Sequence, residues 1–320
     1  MPTIKTIKVS DIRIPLDYSL CEQGCTQSLA CSFKQCPRKF LFKINRWRSR
    51  KGQEKSAVGN IVHAGLATIY PEINNSIYEI IKNEINVNSK KYSFLSSEQI
   101  ESYKTISYCL LLNYLKVYKK DFDNAYFDKT EEEFAVKLPG GVVLWRGKRD
   151  GIHTVKKDNS LWVREIKTRG RINEENMLAG LQFDFQGNLY VLTNDIDTKE
   201  NTAGFIYDMI RTPQIKQKKD ETLHEYSDRL MKDIESRSGF YFMRFQVPLA
   251  IKDKASFSSE LFHLEKELIF YVNTSDISYK NSFSCIDGYI TCEYLDACTT
   301  GVMTDYYQSD KIFEELDCGY

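Results

Sequence analysis

The sequence predicts an α/β fold in which a central mixed sheet is flanked by helices, and three observations carry that expectation. Two acid-bearing segments of the 320-residue chain, 142–150 and 161–168, read as paired strands, with the polar turn Lys156-Lys157-Asp158-Asn159 between them. Helical periodicity lies on either side: Val58, Ile61, Val62, Leu66 and Ile69 recur at helical spacing before the pair, and residues 176–193 read as helix after it. Proline and glycine are sparse, 7 and 16 in number, which argues against a long linker. A single elaborated domain over 1–320 is therefore expected, helical over 1–125, carrying its core over 126–250, and ending in a helical, cysteine-rich part over 251–320.

In order along the chain, residues 28–47 read as a helix interrupted at Pro37, which can open a new helix because the N–H it lacks would be unpaired there anyway. Residues 57–70 form the helix that bears His63. Over 97–122, Ile100, Tyr103, Ile106, Leu110, Leu111, Tyr114 and Val117 follow a helical period, an apolar stripe suited to covering the sheet. Strands are expected over 132–138, 142–150, 152–155 and 161–168, then the helix 176–193, then strands 203–211 and 241–247 around a charged helix over 221–234, and a last helix over 258–272.

The acids on the strand pair point to chemistry. Side chains alternate along a strand, so Glu165 and Lys167 share one face, and pairing can bring Asp150 to the same edge. Two carboxylates suit a hard divalent cation such as Mg²⁺ or Mn²⁺ while leaving positions open for water and phosphate. A bound metal makes water a nucleophile at neutral pH, and the lysine adds positive charge where negative charge develops, a combination suited to phosphodiester hydrolysis. His63 can be aimed at such a metal from its helix, and Gln186 and Tyr190, one helical turn apart, would face the same cleft. Taken singly, His63 reads more readily as a core histidine, and Gln186 and Tyr190 as packing residues.

In this order the set resembles the RecB-like branch of the PD-(D/E)xK nucleases: a histidine on an early helix, then Asp150, then Glu165-Ile166-Lys167, then Gln186 and Tyr190. The resemblance implies the restriction-endonuclease-like core and a DNA nuclease, with His63, Asp150, Glu165 and the backbone carbonyl of Ile166 as metal ligands, Lys167 as the catalytic lysine, and Gln186 and Tyr190 supporting the DNA cleft. Segments 204–213 and 241–245 look like those of phage-encoded members. An exonuclease in DNA processing, recombination or repair is implied, with a recombination or helicase partner. The alternatives are a vestigial DNA-binding subunit, against which the intact Asp150, Glu165 and Lys167 count, and a restriction-type endonuclease.

Cys285, Cys292 and Cys298 form a second constellation that lacks one ligand for a four-thiolate site, and Cys36 is the leading candidate for it. In the CRISPR-associated RecB-like exonucleases and the AddB nucleases, one cysteine before the core and three after it hold an iron–sulfur cluster. Cys36-Pro37-Arg38 and the interval from Cys292 to Cys298 are similar to theirs, whereas the interval from Cys285 to Cys292 is wider than in the CRISPR-associated members. A [4Fe–4S] cluster is the expectation, a structural Zn²⁺ the alternative, with Cys21, Cys25 and Cys31 as competitors for the fourth position and Cys109 and Cys318 as ordinary thiols. Nine cysteines in a chain of this kind do not read as a disulfide framework.

With 44 basic and 44 acidic residues, bulk charge does not announce a nucleic-acid partner, but its distribution does. Nine basic residues stand against Glu54 between Lys34 and Lys55, among them Arg38, Lys39, Arg46 and Arg48, interleaved with Phe33, Phe40, Phe42 and Trp47. Such a run can track a phosphate backbone and stack on unpaired bases, or it can be a helix with a solvated basic face and its aromatics in the core. Neither a signal-peptide apolar region nor a membrane-length apolar run is present, so a cytoplasmic enzyme is expected.

Overall fold

The computed structural model describes residues 7–70, 77–274, 279–287 and 290–316; the side chains of 50–55, 287 and 290 are outside the described set, as is Cys318. The basic-run members Arg50, Lys51 and Lys55, with Glu54, therefore have no described side chains. The helices are α1 (Gln27–Gln35), α2 (Pro37–Ile44), α3 (Arg50–Ile69), α4 (Ile77–Ser89), α5 (Ser97–Val117), α6 (Asp121–Asn124), α7 (Glu174–Leu181), α8 (Phe185–Thr198), α9 (Leu223–Ser236), α10 (Ser238–Tyr241), α11 (Ile251–Thr274) and α12 (Leu295–Thr300). The strands are β1 (Cys25–Thr26), β2 (Trp47–Ser49), β3 (Ala125–Lys137), β4 (Leu144–Val155), β5 (Leu161–Arg169), β6 (Thr202–Arg211), β7 (Phe242–Pro248), β8 (Ile286–Asp287), β9 (Ile290–Thr291) and β10 (Tyr306–Gln308). The chain divides into two units, one of residues 54–132 and 149–254, the other of residues 1–53, 133–148 and 255–320.

The first unit holds the mixed sheet. β5 pairs antiparallel with β4, Gly151 opposite Arg164, and parallel with β6, from Leu161 opposite Thr202 to Arg169 opposite Arg211. β7 closes that edge antiparallel to β6. A parallel pair needs a crossover, and α7 and α8 supply it between β5 and β6. β6 is buried at nearly every position, as a strand with both faces covered must be. Helices α3, α4, α5 and α9 contribute Ile61, Leu66, Ile81, Leu110, Leu111 and Leu230 to one core with Ile166 and Ile210 of the sheet. Two of these helices start at reciprocal caps, Ser96 with Gln99 for α5 and Thr222 with Glu225 for α9.

Beneath the apolar core lies a buried ionic cluster. Arg244 of β7 donates to both carboxylate oxygens of Asp208 on β6 and to Asp121 of α6 at 2.7 and 2.8 Å. Arg164 of β5 donates to Asp121 at 3.1 Å, and the Tyr114 hydroxyl of α5 donates to Asp208 at 2.6 Å. Every charge in the cluster thus has an opposite partner, the condition for burying it at all.

In the second unit, α1, α2 and α11 meet edge-to-face through Phe33, Phe40 and Tyr271, with ring centroids 5.3 to 5.8 Å apart. β1 pairs parallel with the first part of β4, Cys25 opposite Trp145, and β2 pairs antiparallel with β10, Trp47 opposite Gln308. Glu265 of α11 accepts from the Trp145 indole at 2.7 Å and from the Val142 N–H at 3.2 Å.

Three expectations are corrected and one open alternative is decided. The helix over 28–47 is two helices, with Pro37 opening the second as expected, and it ends at Ile44 because Arg46 takes a left-handed φ of 64° and turns the chain into β2. Residues 142–150 and 152–155 are one strand, β4, because Gly151 stays in register opposite Arg164. The helix over 176–193 is broken between Leu181 and Phe185, where Asp184 caps a new helix by accepting from the Gly187 N–H at 2.7 Å. Phe33, Phe40, Phe42 and Trp47 are all buried, so none of them offers a face to a nucleobase.

Candidate active site

The acid strand pair sits where β4 and β5 part company. Beyond the Gly151–Arg164 register pair, the Ile166 N–H is met by a side chain: the Asp150 carboxylate accepts from it at 2.6 Å through Oδ2. The other oxygen, Oδ1, lies 3.5 Å from Nδ1 of His63 on α3. His63 is carried there at the edge of the buried stripe of α3, made by Ile61, Val62, Leu66 and Ile69, which fixes the helix against the core. Burial opposes ionisation of Asp150, but the His63 charge and hydrogen bond, Lys167 and the Ile166 N–H together hold its pKa below the usual carboxylate value. Burial likewise disfavours the His63 cation, and Asp150 more than offsets it, so the imidazole pKa is raised.

Glu165 and Lys167 share a face of β5, as alternation requires, and form a close ion pair. Glu165 is 1% exposed and burial pushes its carboxyl pKa upward against the pull of Lys167. Its Oε2 is buried without a hydrogen-bond partner among the described residues. Lys167 also donates to Gln186 Oε1 at 2.7 Å, and the Gln186 amide donates to the Tyr190 hydroxyl at 3.1 Å. Gln186 and Tyr190 thus reach the site as a brace for the lysine. The brace depends on close packing of α8: a Cβ on Gly187 would come within 2.7 Å of the Phe205 ring.

Glu131 is the residue that sequence reading missed. Among the described residues, the one set of three metal-type donors whose atoms all lie within 4.8 Å of one another is His63, Glu131 and Asp150. Glu131 sits on β3 with a left-handed φ of 50°, a conformation that costs a non-glycine residue roughly 1–3 kcal/mol. Nothing in the run Glu131-Glu132-Glu133 distinguishes it by spacing. Arg149 was also missed; fully buried beside Asp150, it donates to Glu132 at 2.9 Å and to Thr193 of α8 at 3.2 Å. It ties the neighbours of Glu131 and Asp150 to the helix that carries Gln186. An imidazole and two carboxylates, those of His63, Glu131 and Asp150, are a donor set that could hold a hard divalent cation, and the buried Glu165 Oε2 lies on the strand next to the Asp150 contact at Ile166.

The candidate thiols Cys36, Cys285, Cys292 and Cys298, and the basic run as far as Lys51, belong to the other unit. Asn281 stands between two of the thiols: its N–H donates to Cys36 Sγ at 3.3 Å, and Cys285 Sγ donates to its carbonyl at 3.7 Å. The Cys292 N–H donates to the Cys285 carbonyl at 2.9 Å. Burial raises the thiol pKa values of Cys292 and Cys298, with Arg38 pulling the second back through its charge and a hydrogen bond. Arg38 is therefore turned toward a thiol. Lys39 lies 3.6 Å from Glu293, and Arg48 donates to the carbonyls of Lys43, Trp47 and Ile312 and lies 3.4 Å from Glu314. Arg46 is exposed, with a long 3.5 Å bond to the Asp310 carbonyl. Of the four basic residues singled out, Arg46 is the one whose charged group is least engaged by the protein itself.

A family model described as the PD-(D/E)XK nuclease superfamily matches residues 26–299. No curated protein matches the chain. A solved structure titled "Crystal structure of SSO0001" is similar at 16% identity over 68% of this chain and 88% of that chain, with a TM-score of 0.27, a likeness too loose to support a structural argument. No helix among the described residues is long and apolar enough to cross a membrane. The family match spans every element of the site and most of the sequence, so the chain belongs to the PD-(D/E)XK nuclease superfamily, whose members are nucleases that use divalent metals.

Proposed function

We infer that this protein is a RecB-like, Mg²⁺- or Mn²⁺-dependent deoxyribonuclease that acts as an exonuclease in DNA processing. The observation that carries the reading is the convergence of His63, Asp150, Glu165, Lys167 and Gln186 from α3, β4, β5 and α8 within one unit. His63, Glu131, Asp150 and Glu165, with the Ile166 carbonyl, would hold the cation. The bound ion supplies Lewis acidity toward a phosphoryl oxygen and acidifies a water nucleophile. Lys167 places an ammonium where charge develops on the phosphate, and Gln186 and Tyr190 fix its direction. Digestion of end-labelled linear DNA beside covalently closed circles, with Mg²⁺ or Mn²⁺, tests this. Loss of label from linear DNA alone is the expected result; discrete fragments from circles would make it an endonuclease, and no product from either would leave a DNA-binding subunit.

The same reading assigns Cys36, Cys285, Cys292 and Cys298 to a [4Fe–4S] cluster, supported by the shared contacts at Asn281. Anaerobically purified protein is expected to be brown and to contain about four iron and four sulfide per chain. Cys298→Ser should bleach it and lower its thermal stability more than Cys109→Ser does. Colourless protein with one zinc would replace the cluster by a structural zinc site.

A further inference from the structure

The turn that separates α7 from α8 holds an aromatic ring out in solvent three residues before Gln186. Phe183 is 82% exposed, between the buried Leu181 and the cap residue Asp184. A lone exposed aromatic is ordinary; the construction of this turn is not. The residue before a helix cap commonly packs against an apolar partner in the first turn, and the position that would supply the partner is Asn188. Instead of covering the ring, Asn188 clamps the turn, its amide donating to the carbonyls of Gln182 at 3.1 Å and Asp184 at 2.8 Å. The Phe183 N–H adds a 2.9 Å bond to the Gly180 carbonyl, and the Asp184 cap ties the turn to Gly187, which is wedged against Phe205. An apolar surface is thus presented on a rigid support.

Its neighbours are those of the site. The Asp184 cap accepts from the Gly187 N–H at 2.7 Å, and Gln186, which lies between them in the chain, accepts from Lys167 at 2.7 Å, so the turn leads directly into the brace on the lysine. Arg169 and Arg171, on the segment leading from β5 to α7, are both exposed, while the Glu174 carboxylate at the start of α7 is engaged by Arg211 at 3.0 Å. Exposed cations on the segment that enters α7 and an exposed ring on the turn that leaves it are the two kinds of group that hold a phosphate backbone and a base. We propose that Phe183 is the stacking platform for an unpaired nucleobase beside the scissile phosphate, which makes DNA with a single-stranded end the favoured substrate. This rests on the nuclease reading above and names the substrate class for it.

The test separates binding from cleavage. Single-stranded oligonucleotides carrying 2-aminopurine at one or the other terminus, and a blunt duplex of the same sequence, are titrated in EDTA with the wild-type protein, Phe183→Ala and Phe183→Tyr. Stacking on the ring should quench the fluorescence, and Phe183→Ala should abolish the quenching and weaken single-strand binding about 5- to 150-fold while leaving the duplex affinity unchanged. Phe183→Tyr should keep both signals, and the exposed position means that neither variant should shift the melting temperature. Equal single-strand affinity in Phe183→Ala, an equal loss on both DNAs, or a wild-type protein without single-strand binding would each overturn the proposal, leaving the ring to a protein partner. Cleavage is read separately with Mg²⁺. Wild-type protein that quenches but cuts nothing removes the nuclease reading alone, and a nuclease whose alanine variant binds and cuts single strands as before removes the stacking platform alone.

Discussion

Lys167→Ala should bind Mn²⁺ as the wild-type protein does and cleave DNA about 10²–10³ times more slowly, the usual cost of removing one donor aimed at developing negative charge. The expectation follows from its position. Lys167 touches Glu165 and Gln186 but is no cation ligand itself, so its loss leaves His63, Glu131 and Asp150 in place. Asp150→Ala should behave differently, losing both cation binding and cleavage, because it removes the carboxylate that contacts His63 and orders the Ile166 N–H. Calorimetric Mn²⁺ titration beside a single-turnover cleavage assay separates the two variants. Full activity in Lys167→Ala would remove the proposed assignment.

Asp208→Asn should lower the unfolding free energy by about 3–5 kcal/mol at neutral pH without touching the cation donors, since it leaves Arg164 and Arg244 to share the single carboxylate of Asp121 in a buried cluster built around two. Urea denaturation measures the loss, and a change smaller than that of an ordinary surface substitution would mean that the cluster is dispensable. Acid should act on the same charges. Burial raises the Asp208 pKa, but Arg244 and Arg164 outweigh it and hold the group below its ordinary value. Its contribution is therefore complete above about pH 4 and withdrawn as the pH falls through the folded-state pKa. His153, buried on β4 against Phe127 and close to the same two arginines, is pushed down to about 3, chiefly by burial. A depressed histidine also stabilises the fold fully above its unfolded pKa, about 6.5, and progressively less below it. His153 therefore withdraws stability below about pH 6.5, where the raised Glu165 carboxyl acts in the opposite sense, and Asp208 withdraws it below about pH 4, so the clean expectation is the difference between proteins: Asp208→Asn should flatten the stability profile below about pH 4 relative to wild type.

What could be read from the sequence had local causes. The acids on β4 and β5 were legible because a short polar turn fixes the pairing of the two strands, and the helical stripe of α3 was legible because its buried face repeats every turn. Pro37 marked the start of α2 for the same reason: its geometry acts on its immediate neighbours. What escaped notice depends on residues far apart in the chain. Glu131 joins His63 and Asp150 only after β3 has been laid beside β4, and a backbone twist at one glutamate among three leaves no mark on composition. The phenylalanines of the basic run read as well for base stacking as for a core, and contacts with Tyr271, more than two hundred residues away, decided for the core. Arg48 was drawn inward by carbonyls at Lys43 and Ile312, one local and one remote.

The brace on Lys167 has a consequence for where its disorder is lost. A free lysine side chain carries about 2 kcal/mol of rotamer entropy, and ordering it during a reaction would add to the activation barrier. Here Glu165 and Gln186 take that freedom away when the protein folds, so an incoming phosphate meets an ammonium already in position. Gln186 and Tyr190 thereby influence the rate without reaching the substrate, by moving an entropic cost from the catalytic step to the folding reaction.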